Sequence, residues 1–181
     1  MTIIDEKLLI ARLQDETTRT AAFTTLVDAY KEPLYWQIRR MVLNHDDADD
    51  VLQNTFIKVW TGLSSFRGES KLSTWIYRIA TNETLNFLDR QKRMTVSIDD
   101  ENHVAATLQS DEYFDGDETQ AQLQEAIGRL PAKQRQVFML KYYDEMKYED
   151  MSQILKTSVG ALKASYHHAV KKICDFFEQN D

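Results

Sequence analysis

Arg78, Asn82, Asn86 and Arg90 recur at every fourth position, and Phe66, Arg67, Lys71, Trp75 and Tyr77 stand just before or among them. A spacing of four stacks side chains along one face of a helix. Guanidinium groups on that face pair with phosphate oxygens, and carboxamides offer a donor and an acceptor together. Aromatic rings alongside supply surfaces on which bases stack. The mixture suits phosphates and unstacked bases better than the groove of a closed duplex. Covalent chemistry is not expected, because the chain has no nucleophile-base pair, no ligand set for a metal and no glycine loop to cradle a nucleotide. No cofactor is expected either. His45, His103, His167 and His168 include no pair at helical ligand spacing, and the single Cys174 can form neither an intrachain disulfide nor a cysteine cluster. With Ile173, Phe176 and Phe177 as neighbours, Cys174 is expected to be a small core residue.

These residues must be positioned by helices. Five Gly and two Pro in 181 residues, with little strand-like alternation, predict an all-α fold. A helix opening at Asp46, Asp47, Asp49 and Asp50 sets carboxylates at the positive end of its dipole. Val51, Leu52, Thr55, Phe56 and Val59 form its core face, leaving Asp50, Gln53, Asn54, Ile57 and Lys58 for a partner. Turn formers crowd Thr61 to Ser73, and a helix resumes at Thr74 with Ile76, Ile79, Ala80 and Phe87 inward. Upstream, Ile4, Leu8, Leu9 and Leu13 predict a short helix. Phe23 to Tyr30 begin another, which Lys31-Glu32-Pro33 is expected to interrupt, Pro33 opening a further helix through Leu34, Ile38 and Val42.

Downstream, Gln120 to Leu130 is predicted helical, and Pro131 opens a helix with Val137, Phe138, Met139 and Leu140 inward. Glu149–Leu155 and Val159–Phe177 follow, separated by the tight turn Lys156-Thr157-Ser158, with Ser158 as N-cap. Short helix, tight turn and long helix form the pattern of a helix-turn-helix.

The net charge of −7 is unevenly spread. Residues 1–93 carry 13 basic and 13 acidic side chains, 94–128 carry 9 acidic and no basic ones, and 129–181 carry 9 basic and 7 acidic. The acid is thus concentrated in the middle, and both ends can present local basic surfaces to nucleic acid. Met94 to Glu118 reads as an acidic flexible linker between two small helical domains, and its charge could imitate nucleic acid. No stretch reaches the length of a membrane span, and the N-terminus lacks the features of a signal peptide, so a cytoplasmic protein without membrane insertion is expected.

Three ordered stretches, DADDVLQNTFIKVW, SSFRGESKLSTWIYRIATN and NFLDRQKR, resemble the promoter-melting domain of the extracytoplasmic-function (group IV) sigma factors of bacterial RNA polymerase. The segments LPAKQRQVFMLKYYDEMKYEDMSQIL and SVGALKASYHHAVKKI resemble the same family's sigma-4 domain. The resemblance implies a sigma-2 domain over 1–93, an acidic linker over 94–118 and a sigma-4 domain over 119–181. It implies that Asp49, Asp50, Gln53, Asn54, Ile57 and Trp60 dock on the beta-prime clamp helices of core polymerase. Phe66 and its loop would capture a flipped minus-10 base, with Lys71, Trp75, Arg78, Asn82, Asn86, Arg90 and Arg93 holding the adjoining strand. Phe66, in a polar loop, is not expected in the core. The last helix would enter the minus-35 major groove through Ser158, Ala161, Lys163, Ser165, His168, Lys171 and Lys172, its domain also holding the beta flap. Promoter DNA, core polymerase and a membrane-linked anti-sigma factor are the implied partners. The chain departs from the family pattern in three places: Lys156 stands where Gly is usual, Asn54 where an acid is usual, and the last helix carries less Arg. Two other readings of the residues are a helix-turn-helix regulator acting on duplex DNA alone and a sigma mimic that does not open promoters.

Overall fold

The computed structural model describes residues 6–42, 44–94 and 118–180, and the described residues form eight α-helices and one 3-10 turn without a strand. Helices α1 (Glu6–Gln14), α2 (Arg19–Val42), α3 (His45–Gly62) and α4 (Leu72–Met94) make the first group. The second comprises α5 (Glu118–Gly128), α6 (Ala132–Tyr142), α7 (Tyr148–Leu155) and α8 (Val159–Asn180). Of the expected acidic linker, Met94 and Glu118 end helices, and residues 95–117 lie outside the described residues.

The first group closes around Leu26, Leu34, Ile38, Val59, Leu72, Ile76 and Ala80, all fully buried. Leu9 and Leu13 of α1 join this core, whereas Leu8 is 52% exposed, so the apolar stripe of α1 is narrower than its sequence suggests. Pro33 does not start a new helix: α2 runs through it. A proline inside a helix costs about 3 kcal/mol in a lost hydrogen bond and a clash. Complete burial of Leu26 on one side and Leu34 and Ile38 on the other gives roughly 1.5–3 kcal/mol each. Packing therefore wins, and exposed Pro33 sits on the solvent side.

Two capping contacts set the helices that carry the candidate site. The Asp47 amide donates to Asn44 Oδ1 at 3.2 Å, so Asn44, rather than one of the aspartates, caps α3. The Leu72 amide donates to Glu6 Oε1 at 2.6 Å, so α1 supplies the anionic cap of α4 from 66 residues away.

The second group buries Ala126, Ile127, Leu130, Phe138, Met139, Ala169 and Ile173, with Val137, Leu140, Met151 and Leu162 forming an adjoining cluster beneath α7. Val137, Phe138, Met139 and Leu140 are all buried as expected, and because four consecutive residues point in different directions around the helix, this helix is enclosed on most sides. Cys174 is exposed rather than in the core. The inward line of α8 runs through Leu162, Ala169 and Ile173, and the next position turns about 100° away from it. The two groups touch. Met41 of α2 belongs to the second core, where Leu85 and Leu88 of α4 also pack.

Candidate nucleic-acid interface

The segment from His45 to Met94 folds into α3, a 3-10 turn at Leu63–Ser65, a short loop and α4. On α3, Val51, Thr55 and Val59 are buried, and Leu52 and Phe56 are half-buried against them. The opposite side presents Asp49, Asp50, Gln53 and Asn54, all exposed, with Ile57 54% and Trp60 39% exposed. The six residues expected to dock on polymerase thus share one surface, as their three- and four-residue steps require. Asp49 Oδ2 lies 3.6 Å from His45 Nε2, and the Trp60 ring packs edge-on against Phe23 with centroids 4.9 Å apart. Two large apolar side chains flanked by acids give this side of α3 an amphipathic exposed surface.

The α4 face divides into two neighbourhoods. Phe66 and Trp75 are each only 8% exposed, and their ring centroids lie 5.0 Å apart. The expectation that Phe66 stays out of the core is therefore corrected: the 3-10 turn aims it inward, where the indole offers more apolar area than the polar loop. A Cβ added at Gly62 would stand 3.0 Å from Trp75 Cζ2, so the indole also depends on a bare backbone at that position. Phe66, Arg67, Trp75 and Arg78 line a cleft of about 420 Å³, and Gln153 and Lys156 from α7 and the turn after it complete the wall. Further along α4, Asn86, Arg90 and Arg93 line a second cleft of about 340 Å³ with Lys58, Glu83 and Asp89. Lys58 Nζ meets the buried Glu83 carboxylate at 2.5 Å, joining α3 to α4. Arg90 Nε donates to the Asn86 carbonyl at 3.2 Å, which lays its guanidinium along the helix. Lys71 and Asn82 are exposed and lie in neither cleft. Tyr77 is half-buried, and burial, then the nearby Asp144 carboxylate, push its phenol up to about 12. It is therefore a neutral hydrogen-bonding group at physiological pH.

The helix-turn-helix is made by α7 and α8. Lys156 adopts the left-handed conformation (φ 52°). Gly is usual at such a position because a side chain there is strained. The Ser158 hydroxyl accepts from the Ala161 amide at 3.3 Å and caps α8 as predicted. Ser158, Ala161, Lys163, His168, Lys171 and Lys172 are exposed and Ser165 is half-buried, while Leu162, Ala169 and Ile173 anchor the opposite side. Lys163 and Lys141 approach the Tyr148 ring at 5.7 and 5.2 Å, and Lys172 donates to Gln134 Oε1 at 3.0 Å. Such contacts restrict the freedom of the ammonium groups.

Residues 26–94 match the model of Sigma-70 region 2, and residues 120–173 match that of Sigma-70 region 4. The chain is 35% identical over 157 residues to the ECF RNA polymerase sigma factor SigW of Bacillus subtilis, an alignment spanning 81% of this chain and 83% of SigW. The chain belongs to the extracytoplasmic-function sigma factors. The ECF RNA polymerase sigma-E factor of Haemophilus influenzae is 29% identical over 180 residues, covering 94% of both chains. The fold is shared with CnrH, solved in complex with the cytosolic domain of CnrY, at a TM-score of 0.71 and 21% identity over 97% of this chain and 99% of that one. It is shared as well with RpoE, solved in complex with the anti-sigma factor NepR from Bartonella quintana, at a TM-score of 0.66 and 22% identity over 86% of this chain and 96% of that one.

Sequence reasoning about this sigma factor missed the residues at the meeting of its two helical groups: Arg40, Arg135, Tyr143 and Asp144. One signal was available. Arg135 falls three and four positions before Phe138 and Met139, on the side of α6 that faces the core, where a cation requires partners.

Proposed function

We propose that this sigma factor brings bacterial core polymerase to promoters with minus-35 and minus-10 elements and melts the minus-10 element. Residues 1–93 form the sigma-2 domain and 119–181 the sigma-4 domain, joined by the acidic linker 94–118. The observation that carries this reading is the presence in one chain, in family order, of an amphipathic docking face on α3, an Arg/Asn face on α4 and a capped helix-turn-helix.

Ile57 and Trp60 anchor α3 on the beta-prime clamp helices, with Asp49, Asp50, Gln53 and Asn54 setting its orientation by charge and hydrogen bonding. Extruding a base from a duplex costs a few kcal/mol. Stacking against the Phe66 and Trp75 floor of the first cleft offsets part of that cost, at about 1–3 kcal/mol per base. Arg78 and Lys71 hold the neighbouring phosphates, and Asn82, Asn86, Arg90 and Arg93 carry the strand on along α4. No nucleotide hydrolysis is involved, since binding energy drives strand separation. In the minus-35 groove Lys163, Lys171 and Lys172 meet phosphates, while Ser158, Ala161, Ser165 and His168 face base edges. The same domain holds the beta flap.

Control by an anti-sigma factor is part of this proposal and is supported by the likeness to CnrH and RpoE, whose structures were solved with the cytosolic domain of CnrY and with the anti-sigma factor NepR. A membrane-linked anti-sigma factor acting on a cytoplasmic target fits this chain, in which no described helix is long and apolar enough to cross a membrane. Run-off transcription with purified core polymerase and a promoter library tests the proposal. Start sites at a common distance from shared minus-10 and minus-35 sequences support it. Core binding without transcripts identifies a sigma mimic, and duplex binding without core binding identifies a simple regulator.

A further inference from the structure

Residues 66–71, which include Phe66, Arg67 and Lys71, connect the 3-10 turn to α4. The Lys71 carbonyl accepts from the Trp75 amide at 3.1 Å, so Lys71 is the residue that flanks the first turn of α4. Ser, Thr, Asp or Asn is favoured at such a position, because its side-chain oxygen satisfies a free amide of the first turn. An ammonium group has no acceptor to offer and lies at the positive end of the helix dipole. Lys71 is exposed instead. The missing acceptor arrives from α1, whose Glu6 Oε1 takes the Leu72 amide at 2.6 Å. Tyr30 of α2 stands beside both Glu6 and Ser73; burial, then the Glu6 carboxylate, push its phenol up, so it stays neutral at physiological pH. The other end of the loop meets the same helix. α1 packs on the 3-10 turn, and Leu9 and Leu13 share a core with Leu63 and Phe66. Because α1 precedes the matched residues 26–94, its part in the site is not conveyed by the family likeness.

We propose that Glu6 is a positioning residue of the melting site: it caps α4 from a distance, frees the flanking position for a cation, and with the rest of α1 holds both ends of the base-capturing loop. The inference rests on the promoter reading above, in which Phe66 meets the extruded base and Lys71 a neighbouring phosphate. Two demands conflict at position 71. Lys71→Ser would cap α4 locally but leave the strand without an ammonium group, whereas Lys71 without Glu6 leaves the Leu72 amide unpaired. Leu72 is fully buried, so water is a poor substitute for the carboxylate. Assigning the cap to α1 meets both demands. A loop held at both ends also has less freedom left to lose when it meets a base.

Two measurements on the full chain separate this role from general stability, and Thr24→Cys, an exposed site on α2 away from the proposed binding faces, is the control for both. In the free chain, Glu6→Ala should speed amide hydrogen exchange across residues 67–74 at least threefold. Glu6→Gln, which keeps an acceptor oxygen at the same reach, should stay within twofold of the unsubstituted chain, and Lys71→Ser added to Glu6→Ala should restore the first turn of α4. With core polymerase and a promoter, Glu6→Ala should lower the permanganate reactivity of minus-10 thymines at least threefold while core affinity stays within twofold. Glu6→Gln should retain melting. The double substitution should stay as low as Glu6→Ala, because its helix is capped again but the cation is gone; a merely structural role predicts recovery instead. Unchanged exchange or undiminished thymine reactivity in Glu6→Ala, a parallel loss of core affinity, or recovery of melting in the double substitution overturns the proposal. If exchange behaves as expected but the unsubstituted chain opens no promoter, the positioning of the loop stands and the promoter reading fails.

Discussion

Replacing Arg135 by Met keeps most of the side-chain volume and removes the guanidinium from three carbonyls, those of Met41, Gly128 and Leu130 at 2.8–3.3 Å. Two effects oppose each other. Burial depresses the Arg135 pKa, a sign that the cation is partly desolvated, and relieving that penalty favours the apolar side chain. Against it, Gly128 and Leu130 are buried, so their carbonyls lose partners that water does not readily replace. Each orphaned carbonyl costs about 1–3 kcal/mol, and hydrogen bonds from a charged donor lie toward the upper end. Three carbonyls outweigh one partly desolvated cation, so Arg135→Met should destabilise the chain by about 3–5 kcal/mol. At roughly 2–4 °C per kcal/mol for a chain of this size, the melting midpoint should fall by about 10 °C. Arg135→Lys, with a point charge that reaches fewer carbonyls at once, should lose about half as much. The assay is thermal and urea unfolding followed by circular dichroism. A shift below about 0.5 kcal/mol for the Met variant would refute the view that this guanidinium closes two helix ends.

Three further outcomes follow from single contacts. Burial raises Asp144 from 3.8 to about 6, with Arg40 opposing, so the closed fold binds a proton that the unfolded chain releases. The resulting stabilisation is complete below about pH 4 and is lost as pH rises through about 6, on the order of 3 kcal/mol; Asp144→Asn should flatten the stability profile across that window, and an identical slope in both proteins would contradict the assignment. Gly62→Ala should displace the Trp75 indole, 3.0 Å from the new Cβ, at a cost of about 1–2 kcal/mol with a shift in tryptophan emission; an equal loss in a Trp75→Ala background would place the strain elsewhere. Glu6→Ala removes the cap from the Leu72 amide and should cost about 1 kcal/mol while speeding hydrogen exchange there, and unchanged exchange at Leu72 would dismiss the cap.

The helices that carry the site were legible because their signals are local. Val51, Thr55 and Val59 at helical spacing fixed the orientation of α3, and therefore the exposure of Ile57 and Trp60 on its other side. Ser158 announced the start of α8 by its type and place, and Lys156 took the left-handed conformation expected where Gly is usual. Long-range effects were not legible. Nothing near Pro33 reveals that Leu26, Leu34 and Ile38 bury completely in one core and hold α2 straight through it. The inward turn of Phe66 depends on Trp75, and the cap of α4 on Glu6. The contact between the two helical groups unites α2 with α6 through Arg135 and Met41, 94 residues apart, a pairing that no periodicity encodes.

Permanganate footprinting of unpaired thymines tests promoter melting most directly, using core polymerase, this sigma factor and a promoter recovered from the transcription library. Reactive thymines should appear within the minus-10 element without added nucleotide, weaken by at least tenfold with Trp75→Ala combined with Asn82→Ala, and persist with Thr24→Cys. Tight core binding with no reactive thymines at any promoter, or a bubble indifferent to both substitutions, would contradict melting by the α4 face.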